Sequence, residues 1–223
     1  MMIKQLNEKN VGIDNTGIFP GYQHEDGIHF LNDDIDNLLL NMFDMISKDI
    51  LIWFPDIQSV LDVGSGAGHL GVGLKKYKSK INIISLDGNN ESINSRYLEK
   101  DKHFILRTDV DYTLVDDNND VVLFDMICSF EHFEHIQENT FDVFMKNLLK
   151  HSKKGTIIFA SAATWRYSAD KSHVHCNVKT KEEWHKYLTE NFPLERIEDI
   201  SILSEANFNG RYNNCTELLY KVI

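Results

Sequence analysis

Short apolar runs rich in β-branched residues alternate along this chain with stretches whose apolar positions recur every three or four residues. Residues 60–63, 81–86, 104–106, 121–128 and 155–160 have the length and composition of buried strands. Ile35, Leu38, Leu39, Met42, Phe43, Met45 and Ile46 fall on one helical face. The cap candidates Asn32-Asp33-Asp34 precede that face, and Pro55 must end it. Helical spacing recurs over residues 70–77, 89–100, 141–149 and 181–191. Residues 111–120 read as a loop or a short irregular helix, and the tail alternates around 197–203 and 215–222, which suits two final strands pairing antiparallel. Strands that alternate with helices imply a mostly parallel sheet covered on both faces. No repeat or linker divides the chain, so one domain spanning 1–223 is expected.

The first strand breaks into glycines. Val60-Leu61-Asp62-Val63 runs into Gly64-Ser65-Gly66-Ala67-Gly68, and His69-Leu70 opens the next helix. A strand, a glycine turn and a helix N-terminus form a cofactor site, because glycine admits backbone angles and close approaches closed to other residues. A dinucleotide fingerprint would need glycine at position 69, where His69 stands, and a phosphate-binding loop would need Gly-Lys-Ser/Thr at its end. The next strand ends on Asp87-Gly88, where a carboxylate can accept both hydroxyls of a ribose.

Charge and cysteine content narrow the partners. Thirty-four acidic residues against 23 basic ones give −11, which repels a phosphate backbone and argues against nucleic acid. Three scattered cysteines, Cys128, Cys176 and Cys215, form no disulfide framework and suit a reducing, cytoplasmic setting. No run approaches a membrane span, so a membrane is not expected as a partner. Residues 1–30 are rich in turns yet carry Phe19, Tyr22, His24, His29 and Phe30, which fits an ordered cover over the cleft or a loosely attached arm.

With these pieces in order, the chain resembles the class I S-adenosylmethionine-dependent methyltransferases, in their small-molecule branch. The matching pieces are the stretch from Val60 to Gly68, Asp87, Arg107-Thr108-Asp109-Val110, Phe124-Asp125-Met126-Ile127-Cys128-Ser129, the segment Phe130-Glu131-His132-Phe133-Glu134-His135-Ile136 and the strand entry Lys153-Lys154-Gly155-Thr156-Ile157-Ile158. The resemblance covers residues 56–160 well and the tail loosely. It implies a Rossmann-like, doubly wound, mostly parallel seven-stranded sheet with an antiparallel C-terminal strand and an N-terminal helical extension. It also implies a cover and helix over 1–55, a cofactor-binding core over 56–160 and a substrate-side connection with terminal strands over 161–223. By the same resemblance Asp62, Gly64, Ser65, Gly66 and Gly68 would hold the methionine part of S-adenosyl-L-methionine. Asp87 and Gly88 would meet the ribose, Asp109 and Val110 the adenine, and Ser129 would lie near the sulfonium.

Methyl transfer from a sulfonium is an in-line displacement in which alignment and exclusion of water do most of the work, while a hydroxyl acceptor also needs a proton acceptor. Glu131 and His135 follow the fourth strand at the carboxyl edge where such sheets bind ligands, and they are the catalytic candidates; His135 could equally be a packing or capping histidine. If this segment is helical, Glu131 and Glu134 share one face and His132 and His135 another. His173-Val174-His175-Cys176, with His185, makes a poor tetrahedral set, so no metal is expected. The connection over 161–178, with Trp165, Arg166 and Tyr167, would line the substrate pocket, and Trp184 belongs in the core. The expected activity is transfer of a methyl group to an O or N atom of a small molecule or sugar-like metabolite. The alternatives are a protein or RNA methyltransferase, and a non-catalytic partner subunit with the same fold. A nicotinamide-dependent dehydrogenase is disfavoured by His69.

Overall fold

A computed structural model describes residues 4–5, 33–88, 97, 99, 102–165, 175–203 and 215–223. Nine strands alternate with four helices among them. The order is β1 (Lys4–Gln5), α1 (Asp33–Trp53), β2 (Ser59–Val63), α2 (His69–Tyr77), β3 (Asn82–Asp87), β4 (His103–Ile105), β5 (Leu114–Val115) and β6 (Phe124–Phe130). A single 3₁₀ turn (Phe133–His135) follows, then α3 (Glu138–Lys150), β7 (Ser152–Ala163), α4 (Lys181–Asn191), β8 (Leu194–Arg196) and β9 (Cys215–Val222). Seven strands form one sheet in the order β4-β3-β2-β6-β7-β9-β8. β2 pairs in parallel with β3 and β6, β3 with β4, and β6 with β7, whereas β9 runs antiparallel to both β7 and β8. This is the mostly parallel, Rossmann-like sheet expected from the sequence, with its antiparallel C-terminal strand.

The topology fixes where a ligand can bind. From β2 the chain steps outward through β3 to β4, then returns to the other side of β2 as β6. Loops leaving the carboxyl ends of β2 and β6 therefore diverge, and the crevice between them is the switch point where open α/β sheets bind ligands.

Period-two alternation along the strands feeds two cores. Leu61, Ile127 and Ile158 face a cluster built with Phe133, Phe141, Phe144 and the fully buried Trp184. Val60, Met126, Cys128 and Phe159 face the opposite cluster, with Met42, Ile46 and Ile50 of α1 and Leu70 and Leu74 of α2. α1 crosses α2 closely at Gly73, where a Cβ would stand 2.4 Å from the Ser47 Oγ and 2.6 Å from the Phe43 carbonyl oxygen.

Three expectations are corrected. The polar stretch 111–120 contains β5, which pairs antiparallel with β1 in a second, two-stranded sheet. The fourth sheet strand begins at Phe124 and not at Val121, because Val121 and Leu123 point outward and Val121 only bridges Val115. The penultimate strand is β8, not residues 197–203: the amides of Ile202 and Leu203 donate instead to the Glu217 carboxylate at 2.8 and 2.6 Å, which turns the chain off the sheet. The expected helix over 89–100 and most of the cover over 1–30 lie outside the described residues.

Candidate active site

The glycine loop wraps the end of β3. Gly64, Gly66 and Gly68 have φ of 74°, 52° and 87°, the left-handed region that side chains resist. The amides of Gly64 and Ser65 donate to the Leu86 carbonyl at 2.8 and 3.0 Å, and the Gly66 amide donates to Asp87 Oδ2 at 2.7 Å. Asp87 is thereby held at the tip of β3, over the loop, with the buried Gly88 behind it. Gly64 must lack a side chain for a second reason: a Cβ there would meet His132 Cγ at 2.6 Å. His132 lies buried beneath the loop, bonded through Nε2 to Thr108 Oγ1 at 2.9 Å, and burial pulls its pKa down to about 4, so the ring is neutral.

Asp62 lies under the same loop. It is buried, its Oδ2 has no hydrogen-bond partner, and burial together with the nearby Asp87 charge pushes its pKa up to about 7. Ser65 Oγ is also buried without a partner. A pair of carboxyls, one of them orphaned, beside a loop of left-handed glycines is a cradle suited to a cationic ligand.

The other expected cofactor residues are engaged within the protein. Arg107 grips Asp109 through two bonds, Nε to Oδ1 at 2.9 Å and Nη2 to Oδ2 at 2.8 Å, so its buried carboxylate already has a partner. Val110 beside it is half-buried. Ser129 donates its hydroxyl to the Val63 carbonyl at 2.9 Å and is fully buried; its side chain stitches the ends of β2 and β6 together.

Beyond β6 the backbone turns sharply. Glu131 has φ of 51°, rare for a residue with a side chain, and such strain persists where surrounding contacts enforce it. Its Oε1 accepts from the Ser161 hydroxyl at 2.7 Å and its Oε2 from the Cys215 thiol at 2.9 Å. Burial raises the Glu131 pKa and these two bonds oppose the rise. Both carboxylate oxygens of Glu131 are therefore engaged within the protein. The 3₁₀ turn after it is too short to give a helical face, so the expected pairing of faces does not form.

That turn carries Glu134 and His135. Glu134 is fully buried, and neither of its carboxylate oxygens has a hydrogen-bond partner. Burial, followed by repulsion from Glu131, holds its pKa well above the carboxylate range; the amides of Glu134 and Ala163 lean towards it and offset part of this without reaching hydrogen-bond geometry. His135 is half-buried and packs edge-on against His175, ring centroids 5.0 Å apart. His175 donates Nδ1–H to the Trp165 carbonyl at 2.8 Å, and the Trp165 ring lies 4.5 Å away. The Cys176 thiol reaches the His135 carbonyl at 3.3 Å. His185, by contrast, bonds the Tyr220 hydroxyl of β9, and among the described residues it is not part of the cluster that holds His175. His173, Arg166 and Tyr167 lie outside the described residues.

Sequence reasoning missed three participants. His132 and Thr108 were read only as members of longer motifs, and nothing local placed them under the loop. His69 mattered as a partner and not only as a missing glycine. Its Nε2 meets Asp36 Oδ1 of α1 at 2.7 Å, and Tyr97 donates to Asp36 Oδ2 at 2.5 Å, which ties α1 to the first turn of α2.

With this geometry in place, comparison with known proteins fixes the class. A family model described as a methyltransferase domain matches residues 25–199, and the chain belongs to that family. The fold and its glycine-loop site define a class I, S-adenosylmethionine-dependent methyltransferase. Among solved structures, an S-adenosylmethionine-dependent methyltransferase from Clostridium acetobutylicum shares 13% identity at a TM-score of 0.58, covering 89% of this chain and 96% of that one. The plantazolicin methyltransferase BpumL, in complex with a pentazolic desmethylPZN analog and SAH, shares 15% at 0.55, covering 84% and 85%. A complex of the Haloferax volcanii Trm112 methyltransferase activator with a methyltransferase shares 15% at 0.57, covering 85% and 94%. No curated protein matches the chain.

Proposed function

We propose that this enzyme moves the methyl group of S-adenosyl-L-methionine to an oxygen or nitrogen atom of a small molecule. The observation that carries the reading is the cradle formed by Asp62, the left-handed glycines and Asp87. Bound there, the cofactor supplies an activated methyl group on a sulfonium. The chain's own residues do the remaining work. Asp62, whose Oδ2 has no partner, offers a carboxylate to the cationic methionine end. Gly64, Ser65, Gly66 and Gly68 let that end lie against the main chain. Asp87, held by the Gly66 amide, meets the ribose hydroxyls, and Gly88 keeps that approach open. Asp109 bears on the adenine through its position after β4, with its carboxylate kept by Arg107, while Val110 offers an apolar contact. Ser129 acts from behind the cleft by fixing the spacing of β2 and β6. A net charge of −11 supports a small acceptor over a nucleic acid.

Calorimetry with S-adenosylmethionine and its demethylated product tests this directly. Asp87→Ala removes a charged hydrogen-bond acceptor and should weaken binding about 10- to 100-fold. Unchanged affinity would overturn the assignment. Mass spectrometry of extract reactions should then find an acceptor gaining one CH₂.

A further inference from the structure

Glu134, His135 and His175 bring one ligand atom each to within 4.8 Å of one another. Three features make this more than proximity. First, Glu134 is fully buried and both of its oxygens lack a hydrogen-bond partner. Buried carboxylates are kept when something pairs with them, a metal included. Second, a carbonyl oxygen only accepts, so the bond to Trp165 puts the His175 proton on Nδ1 and the lone pair on Nε2. A histidine anchored through its second nitrogen to a backbone carbonyl is how proteins orient a metal ligand. Third, the Cys176 thiol on the His135 carbonyl ties the segment that carries His175 to the 3₁₀ turn that carries the other two.

We propose that Glu134, His135 and His175 hold a divalent transition-metal ion whose remaining coordination positions take an oxygen of the methyl acceptor. Two imidazoles and one carboxylate suit zinc, manganese, iron or cobalt, whereas magnesium and calcium favour oxygen throughout. Three protein ligands with open positions are the arrangement of a catalytic site, not a structural one. The cluster is also in the right place. It follows β6 directly, and His132, three residues before His135, lies beneath Gly64 of the cofactor loop. Glu131, three residues before Glu134, keeps its own carboxylate on Ser161 and Cys215 and is not one of the ligands.

This inference rests on the methyltransferase reading and names its acceptor as an oxygen compound able to ligate a metal. Coordination lowers the pKa of the acceptor hydroxyl, and its proton leaves to solvent. The oxygen lone pair forms the new C–O bond while the methyl–sulfur bond breaks, its electron pair remaining on sulfur as a neutral thioether. His135 then serves as a ligand and not as a base.

The test is calorimetric titration of the chelator-treated full-length chain with Zn²⁺ and Mn²⁺, alongside a titration with S-adenosylhomocysteine. The wild type should bind one equivalent of at least one of these metals. Glu134→Gln and His175→Ala should each weaken that binding about 10- to 100-fold, the usual scale for disturbing a metal site. Retained S-adenosylhomocysteine binding by either variant shows it to be folded. If the wild type binds neither metal, or if both folded variants bind as tightly as it does, the proposal fails. Metal binding without cofactor binding would instead overturn the methyltransferase reading and leave the metal site standing.

Discussion

Asp62 differs from an ordinary carboxylate because burial and the charge of Asp87 both oppose its ionisation, raising its pKa to about 7. A cationic ligand in the cradle favours the ionised form, so binding must expel the proton wherever Asp62 holds one. Affinity for S-adenosylmethionine should therefore rise as the pH climbs through about 7 and level off above it. Asp62→Asn should bind more weakly and lose the part of that slope due to Asp62, as calorimetry across the range would reveal. Part of this candidate site was legible locally: the glycine loop and Asp87 stood out because backbone freedom and a strand-end carboxylate leave a local trace, whereas Asp62 entered only through the family resemblance. Ser129, Asp109 and Glu131 were seen as candidates, but their partners were not. Val63, Arg107, Ser161 and Cys215 reach them through the fold, and for three of the four the separation in sequence is long. Glu134 and His175 were each noted, but their meeting was not, since 41 positions (175 − 134) separate two groups that come together in the fold.

Among the elements, helices were the most legible, and α4 falls on the residues its periodicity predicts. A capping box between Thr180 and Glu183 fixes its start. Strand limits moved by a few residues because a strand ends where its neighbour stops pairing, which local pattern does not encode. The junction of α3 and β7 illustrates a further non-local control. His151, buried where α3 ends, donates Nδ1–H to the Val122 carbonyl at 2.8 Å and accepts the Leu114 amide on Nε2 at 3.3 Å. Protonation would set two N–H groups against each other, and burial holds the pKa down at about 4. A histidine whose folded pKa lies below its unfolded value of about 6.5 contributes stability above that value and loses it as the pH falls towards the folded pKa. Asp62 contributes with the opposite sign, so the clean measurement is a difference. On acidification from about pH 6.5 to about pH 4, His151→Gln should lose about 3 kcal/mol less unfolding free energy than the wild type. Urea denaturation at several pH values measures it.

At the scale of the whole molecule, alternation of strands and helices predicted the sheet class, and the family resemblance supplied its strand number and antiparallel strand. The small sheet of β1 and β5 could not be foreseen, because two-residue strands carry no period. Among the described helices none is long and apolar enough to cross a membrane. β9 lies between β7 and β8, and Leu218, Leu219, Tyr220 and Val222 on it are buried. Burying four such side chains is worth about 6–12 kcal/mol, comparable with the whole stability of a domain at about 5–15 kcal/mol. A chain truncated after Asn214 should accordingly show no cooperative thermal transition by circular dichroism.

The seat of β9 also sets a timetable. The ribosome releases β7 and then β8 before the strand that must lie between them, so the sheet keeps an open slot while both of its walls are already in the cell. Cys215, the first residue of that late strand, is also the donor that holds Glu131 in its strained turn beside Glu134. A partly synthesised chain has thus made every residue of its glycine loop while it still lacks both the strand that fills the sheet and the thiol from which Glu131 accepts. Closure of the sheet therefore waits on β9, long after the glycine loop has left the ribosome.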